Sequence, residues 1–362
     1  MTRRASGSPR ERLLRWYDAS ARDLPWRRTR DPYAIWVSEI MLQQTRVETV
    51  IPYFERFLAR FPTVTHLARA GEDEVLSLWS GLGYYRRARL LHRGARVVLE
   101  EHGGQVPEPP EARAALPGIG RYTAGAIGSI AFDRQEPIVD GNVARVLSRL
   151  GGIETPLGKR ETEARLWREA EAWVRGPRPG ALNQALMELG ALVCTPLTPR
   201  CESCPLARDC VARRTGRETE LPVARAKRAP RAVTWTAVIA SPAGDERVWL
   251  VRGEGTLFGG LFGVPSIEAD DASAPAAALE AHGLEARALE ARGALTHVLT
   301  HRALDVRVWV ATVRAAHATR ARRLVRADAP GDVGVSTLTR KILRAARDQA
   351  ASAPRHSARR GD

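Results

Sequence analysis

The chain has 362 residues, 44% of them hydrophobic, and a formal charge of +15 carried almost wholly by arginine, since Lys159, Lys227 and Lys341 are its only lysines. That length exceeds what one core usually sustains, so two domains are expected; no uninterrupted apolar run reaches the roughly 18 residues of a membrane span. An arginine-rich genome explains Arg in place of Lys but not the excess of positive charge, which points to a polyanionic partner such as nucleic acid.

The first ten residues have no apolar core and do not read as a signal peptide, so a soluble, cytoplasmic chain without membrane contact is expected. Residues 1–8 and 351–362 read as disordered tails. From Glu11 to about Arg213 apolar residues recur at helical spacing, as in Leu13, Leu14, Trp16 and Tyr17. Within this run, Glu39 has Trp36, Ile35, Leu42 and Gln43 as its helical neighbours. A carboxyl in such company is desolvated and keeps its proton near neutral pH; the competing reading is a glutamate at the rim of an amphipathic helix. The uncharged Gln43-Gln44-Thr45 that follows suits insertion among bases.

Leu82-Gly83-Tyr84-Tyr85-Arg86-Arg87 comes next. Its aromatics can wedge into a base stack while its arginines take phosphates, or the tyrosines are half-buried in a helical core. Leu116-Pro117-Gly118-Ile119-Gly120-Arg121 reads as a hairpin between helices, with Gly118 and Gly120 supplying unusual backbone angles. Such a turn offers bare N–H groups to phosphate; an ordinary interhelical turn is the alternative. In Val139-Asp140-Gly141-Asn142-Val143 the carboxylate of Asp140 suits a helix cap, and a capped carboxylate stays ionised and in place to stabilise a developing cation.

All four cysteines fall in one window, Cys194, Cys201, Cys204 and Cys210, with gaps of six, two and five residues. Spacing leaves a cubane iron–sulfur cluster and a structural zinc about equal, and two disulfides behind both. Residues 214–231 then read as an exposed basic linker. Beyond it β patterns dominate: Ala232–Ala240, Arg247–Arg252, and an alternation of Leu304, Val306, Val308 and Val310 with Asp305, Arg307 and Trp309. Short helices are expected at Ala274–His282 and Leu338–Gln349.

The Glu39 segment, the hairpin, the Asp140 segment and the cysteine quartet follow one another as in the helix-hairpin-helix DNA glycosylases with an iron–sulfur cluster. Over roughly residues 10–348 the chain resembles the MutY family of adenine DNA glycosylases. The resemblance implies a multidomain α and α+β chain: an all-helical helix-hairpin-helix glycosylase domain at 9–213 with a [4Fe–4S] lobe (cluster loop 194–210), the linker at 214–231, and a Nudix-like domain at 232–350. It implies one [4Fe–4S] cluster per chain on the four cysteines, a monomer, and double-stranded DNA containing adenine opposite 8-oxoguanine or guanine as partner. It assigns Glu39 and Asp140 as catalytic, assisted by Tyr122 and Asn142. Gln43, Gln44, Tyr84, Leu116, Gly118, Gly120, Thr300 and His301 become DNA contacts, and Trp26, Arg27 and Glu188 the adenine pocket. Leu299-Thr300-His301 stands where the family has Phe-Ser-His, so the stacking aromatic is lost. A Nudix hydrolase would carry a carboxylate cluster for magnesium; residues 273–283 hold only Glu280. The sister endonuclease III type, a glycosylase–lyase acting on oxidised pyrimidines, uses a lysine where this chain has Tyr122, and no lysine precedes Lys159. That type, and a DNA-binding protein on the same fold without catalysis, are the alternatives.

Overall fold

The computed structural model describes residues 7–225, 229–254, 257–269, 271–328 and 333–352. They divide into two compact units: residues 7–70 with 86–225, and residues 71–85 with the described residues from 229 onward. The expected tails lie outside the described residues except at their inner ends. There Ser8 opens the first helix, its hydroxyl accepting from the Glu11 N–H while the Glu11 carboxylate accepts from the Ser8 N–H.

In chain order the helices are α1 (Pro9–Ser20), α2 (Pro32–Leu42), α3 (Val47–Arg60), α4 (Val64–Arg69), α5 (Glu72–Trp79), α6 (Arg86–Glu101), α7 (Pro110–Ala115), α8 (Arg121–Phe132), α9 (Gly141–Gly151), α10 (Arg160–Val174), α11 (Pro179–Leu192) and α12 (Val211–Thr215). All but α5 belong to the first unit. Helix α2 starts where Asp31 caps it, accepting from the N–H groups of Tyr33 and Ala34, with Pro32 preset for the first turn. It is buried from Tyr33 to Met41, so Glu39 sits on a core helix rather than at the rim of an amphipathic one. Around Leu13, Ile138, Val143, Leu147, Leu166, Leu182 and Leu186, helices α1, α8, α9, α10 and α11 form one apolar core.

The stretch expected as an exposed linker is exposed only in part. Leu221 is buried. The Leu157 N–H donates to Val223 O at 3.0 Å and Arg149 Nε to Leu221 O at 2.8 Å, which ties residues 221–223 to the helical unit.

The second unit is built on a mixed sheet: β1 (Arg231–Pro242), β2 (Arg247–Arg252), β3 (Phe262–Gly263), β4 (Ser266–Ile267), then α13 (Ala274–Glu280), β5 (Ala286–Val298), β6 (Arg302–Val313), β7 (Arg322–Arg326) and α14 (Thr337–Ser352). The strand order is β3-β2-β1-β6-β5, with β7 on β2 and β4 on β1. Strands β1 and β6 run parallel from Arg231↔Arg302 to Pro242↔Val313. Alternation places Leu304, Val306 and Val308 against α14, and Ala311 and Val313 against α13, so both faces are covered. Residues 71–85, read in sequence as part of the helical run, cluster with this unit. Arg252 Nη2 holds Asp73 at 2.6 Å, the Tyr85 and Ser80 hydroxyls donate to Val335 O at 2.9 and 3.0 Å, and Leu76 packs on Gly334. No helix among the described residues is long and apolar enough to cross a membrane.

Candidate active site

A cavity of about 710 Å³ opens in the helical unit, between α2, the first turn of α8, the start of α9 and α11. Its walls include Glu39, Tyr122, Asp140, Asn142, Gln43, Gln44 and Gly120, with Trp26, Arg27 and Glu188 on the α11 side. Each expected catalytic and adenine-pocket residue therefore meets the others here, although up to 162 positions separate Trp26 from Glu188 in the chain.

Glu39 is 5% exposed, and the Tyr122 hydroxyl donates to its Oε2 at 2.7 Å. Burial disfavours the ionised carboxylate most. The Tyr122 hydrogen bond and Arg27 pull the other way, the Asp140 charge adds to burial, and the balance is a pKa pushed up to about 7. Tyr122 is itself raised well above its ordinary value, first by burial and then by the charges of Glu39 and Asp140. Asp140 is the N-cap of α9: its Oδ1 accepts from the Val143 N–H at 2.7 Å and its Oδ2 from Asn142 Nδ2 at 3.1 Å. The capping and catalytic readings of Asp140 are thus compatible in one rotamer.

Across the cavity Glu188 behaves oppositely. Burial alone would raise it, but hydrogen bonds from Arg22 and Arg27, at 2.8–3.1 Å, hold it down at about 2. Sequence reasoning passed over Arg22, whose Nε, Nη2 and backbone N–H all donate to this carboxylate. No local signal marks it, because its partner lies 166 positions away in the chain.

What fixes Tyr122 and Asp140 relative to each other is helix α8. A Cβ on Gly125 would meet Pro137 O at 2.3 Å, and one on Gly128 would meet Glu136 Oε2 at 2.1 Å. The segment leading to Asp140 thus rests on bare backbone of the helix that carries Tyr122. Arg113, with no exposed surface, donates to Glu136 at 2.5 Å and to Ala124 O at 3.3 Å, fastening the same segment.

Three expectations change at the hairpin and the aromatic pair. Gly118 has φ +82, but Gly120 is extended at φ −93, so only the first needs a glycine's freedom. Leu116 is buried; its N–H donates to Arg113 O and its carbonyl accepts from Ile119, which leaves it no donor for phosphate. Arg87 is buried and hydrogen-bonded to the backbone after Glu39, so it is not placed to take a phosphate. In the second unit Tyr84 is 47% exposed at φ +48, and its hydroxyl lies 3.2 Å from Thr300 Oγ1. Thr300 and His301 are both exposed, Leu299 packs on the sheet core, and His297 lies on β5. Helix α13, where a magnesium-binding Nudix helix would stand, offers Glu280 alone.

The four cysteines are free thiols. Burial raises Cys201, Cys204 and Cys210, and the neighbouring Cys194 adds to the shift of each. Among the described residues no three or more His, Cys, Asp or Glu side chains are gathered closely enough to hold a metal ion. Arg149 Nη1 lies 3.2 Å from Cys194 Sγ and its other donors take Thr195 O, Pro196 O and Leu221 O. Arg145 bridges to the cavity, donating to Cys194 O at 2.7 Å and to Asn142 Oδ1 at 2.8 Å.

Residues 37–172 match the family described as HhH-GPD superfamily base excision DNA repair protein, and residues 236–345 match the NUDIX domain. An adenine DNA glycosylase of Rattus norvegicus is 51% identical over 225 residues, covering 59% of this chain and 44% of that protein. One of Arabidopsis thaliana is 40% identical over 304 residues, covering 72% and 48%. One of Buchnera aphidicola is 37% identical over 259 residues, covering 71% and 73%. The chain spans less than half the length of the animal and plant relatives and nearly three quarters of this bacterial one. A solved thermostable thymine-DNA glycosylase superposes with a TM-score of 0.52 at 31% identity, covering 57% of this chain and 95% of its own. With a buried carboxyl of raised pKa, a capped aspartate and these relatives in hand, the chain belongs to the MutY family of adenine DNA glycosylases.

Proposed function

We propose that this chain removes adenine paired with 8-oxoguanine or guanine in duplex DNA by hydrolysing the N-glycosidic bond, leaving an abasic site. The observation that carries the reading is Glu39, buried, hydrogen-bonded to Tyr122 and pushed up to about 7, in one cavity with Asp140. A carboxyl with that pKa is protonated often enough at neutral pH to act as an acid, and ionised often enough to act afterwards as a base.

The adenine is flipped from the duplex into the cavity. Glu39 gives its proton to adenine N7; the N9–C1′ bond breaks and its electron pair leaves with the base. Asp140 stabilises the oxocarbenium character at C1′, held in place by Val143 and Asn142. Water then adds at C1′ and Glu39 takes up its proton. Gln44 and Tyr84 wedge the stack, Gly118 and Gly120 present N–H groups to phosphate, and Thr300 with His301 reads the 8-oxoguanine. The Arg22–Glu188–Arg27 cluster presents charge-fixed donors to the base edge. With Tyr122 where a lyase needs an amine, the strand is not cut. Cys194, Cys201, Cys204 and Cys210 would hold one [4Fe–4S] cluster, which would tie together the loop that carries them; bond cleavage is left to Glu39 and Asp140.

A labelled adenine·8-oxoguanine duplex, incubated with the protein and split between alkali and buffer, tests this. Cleavage in the alkali half alone is expected. Cleavage in both halves, with a borohydride-trapped adduct, would establish the glycosylase–lyase reading, and none in either would establish DNA binding without catalysis.

A further inference from the structure

We infer that Arg87 is the positioning residue for the Gln43–Thr45 turn, holding Gln44 in the conformation with which it meets DNA. Helix α2 ends at Leu42, one turn past Glu39, and its last carbonyls need partners. Arg87, reaching in from α6, supplies them. Its Nη1 donates to Ile40 O at 2.7 Å, to Met41 O at 2.9 Å and to Gln43 O, and its Nη2 donates to Thr45 Oγ1 at 3.1 Å. One buried cation thus closes the negative end of the helix dipole and grips both sides of Gln44.

Gln44 needs that grip. Its φ is +58, a left-handed conformation that a residue with a Cβ adopts only where its surroundings enforce it. The turn has three lesser ties: Thr45 N–H to Leu42 O at 3.3 Å, Gln43 Nε2 to Thr123 Oγ1 at 3.4 Å, and Thr45 Oγ1 to Gln43 O at 3.4 Å. All are at the long end of the hydrogen-bond range, so the guanidinium is the chief restraint. Because the same group binds the carbonyls of Ile40 and Met41, the turn and the helix carrying Glu39 move as one piece. Engagement of the duplex by Gln44 is thereby registered to the position of the acid.

The inference rests on the proposed glycosylase reading for its ligand, an adenine·8-oxoguanine duplex. Full-length Arg87→Lys, Gln44→Asn and the double variant are compared with the parent. The readouts are affinity for a duplex with a non-hydrolysable 2′-fluoro-adenosine analogue and single-turnover adenine release against pH. Lysine keeps the charge but cannot serve the four acceptors at once, so a loss of about tenfold in affinity is expected. The pH midpoint set by Glu39 stays where it is. Asparagine tolerates a left-handed φ better than glutamine, so Gln44→Asn, which weakens the parent, costs less or restores binding in the Arg87→Lys chain. Unchanged affinity in Arg87→Lys, a moved pH midpoint, or strictly additive losses in the double variant would each overturn the assignment. Should Arg87→Lys not fold, Thr45→Val removes one Arg87 acceptor, together with the long Thr45 Oγ1 bond to Gln43 O, without stranding a charge; a loss of about threefold supports the inference and parent-like affinity refutes it. A parent that binds the analogue but releases no adenine would remove the glycosylase reading and leave the turn assignment standing.

Discussion

The two units bury different chemistry. The helical unit encloses Glu39, Arg87, Arg113, Arg149 and Glu188, each almost out of contact with solvent, whereas the polar residues buried in the sheet unit are the hydroxyls Thr236, Ser336 and Thr339. Burying charge is costly, and it persists where each charge is matched by carbonyls or counter-ions. In the helical unit the arginines answer to helix ends and loop carbonyls, while burial pushes Glu39 up to about 7. The sheet unit buries both faces of its central strands, and its polar features of interest, Tyr84, Thr300 and His301, are exposed. The contrast separates a region that buries charge around a cavity from one whose buried polar groups are neutral hydroxyls.

The contrast is sharpest at Glu39. Glu39→Gln should lower adenine release by about 10³-fold or more while leaving mispair binding intact, since the amide cannot donate the acid proton; near-parental release would sink the assignment. The same change should stabilise the fold at pH 8 by about 1–3 kcal/mol. Between the ordinary 4.5 and about 7 the folded protein holds a proton that the unfolded chain gives up, so parental stability declines as pH rises through that window. Adenine release should likewise fall as pH rises through about 7, because the acid is consumed; a rate rising across that range would reverse the proposed role.

Glu188 should show the opposite sign. With its folded pKa at about 2, below the ordinary 4.5, it contributes stability above that ordinary value and loses it as pH falls toward 2. Glu188→Gln should cost about 3 kcal/mol near neutrality, leaving Arg22 and Arg27 under-paired, and should flatten the acid limb of a denaturation profile. Leu250→Ala in the sheet core should cost about as much, through the cavity it leaves. It should alter neither the acid limb nor the pH midpoint of release; a shift in either would break the division between the two regions. The smallest effect belongs to Thr300→Val, which removes an exposed hydrogen bond to Tyr84 and should weaken preference for 8-oxoguanine by about 1 kcal/mol or less. Competitive binding of duplexes with 8-oxoguanine and guanine measures it.

Much of the site was legible because its signals are local. Glu39 announced its burial through Ile35, Trp36 and Leu42, and Asp140 its cap through the Gly-Asn that follows. What stayed hidden depends on distant partners. Arg86, Arg87 and Arg89 look alike in sequence, and only the direction of α6 turns Arg87 inward. Ala286–Arg292 is composed mostly of helix formers, yet forms a strand because β6 offers a ladder along its length. Helix α5 gave no sign that Asp73 would answer Arg252, a residue 179 positions away. The resemblance to a family supplied the roles of Trp26, Arg27 and Glu188, which no local pattern did.

The rail of bare backbone on α8 has a consequence of its own. Separation between Tyr122, which partners Glu39, and Asp140 is set by atoms that are not there: one methyl group at position 125 would meet the Pro137 carbonyl and push the segment leading to Asp140 off the helix that carries Tyr122. Gly125→Ala would thus be a lesion without a lost functional group. The protein would keep each catalytic side chain and misplace one of them, a failure that an inventory of active-site residues does not detect.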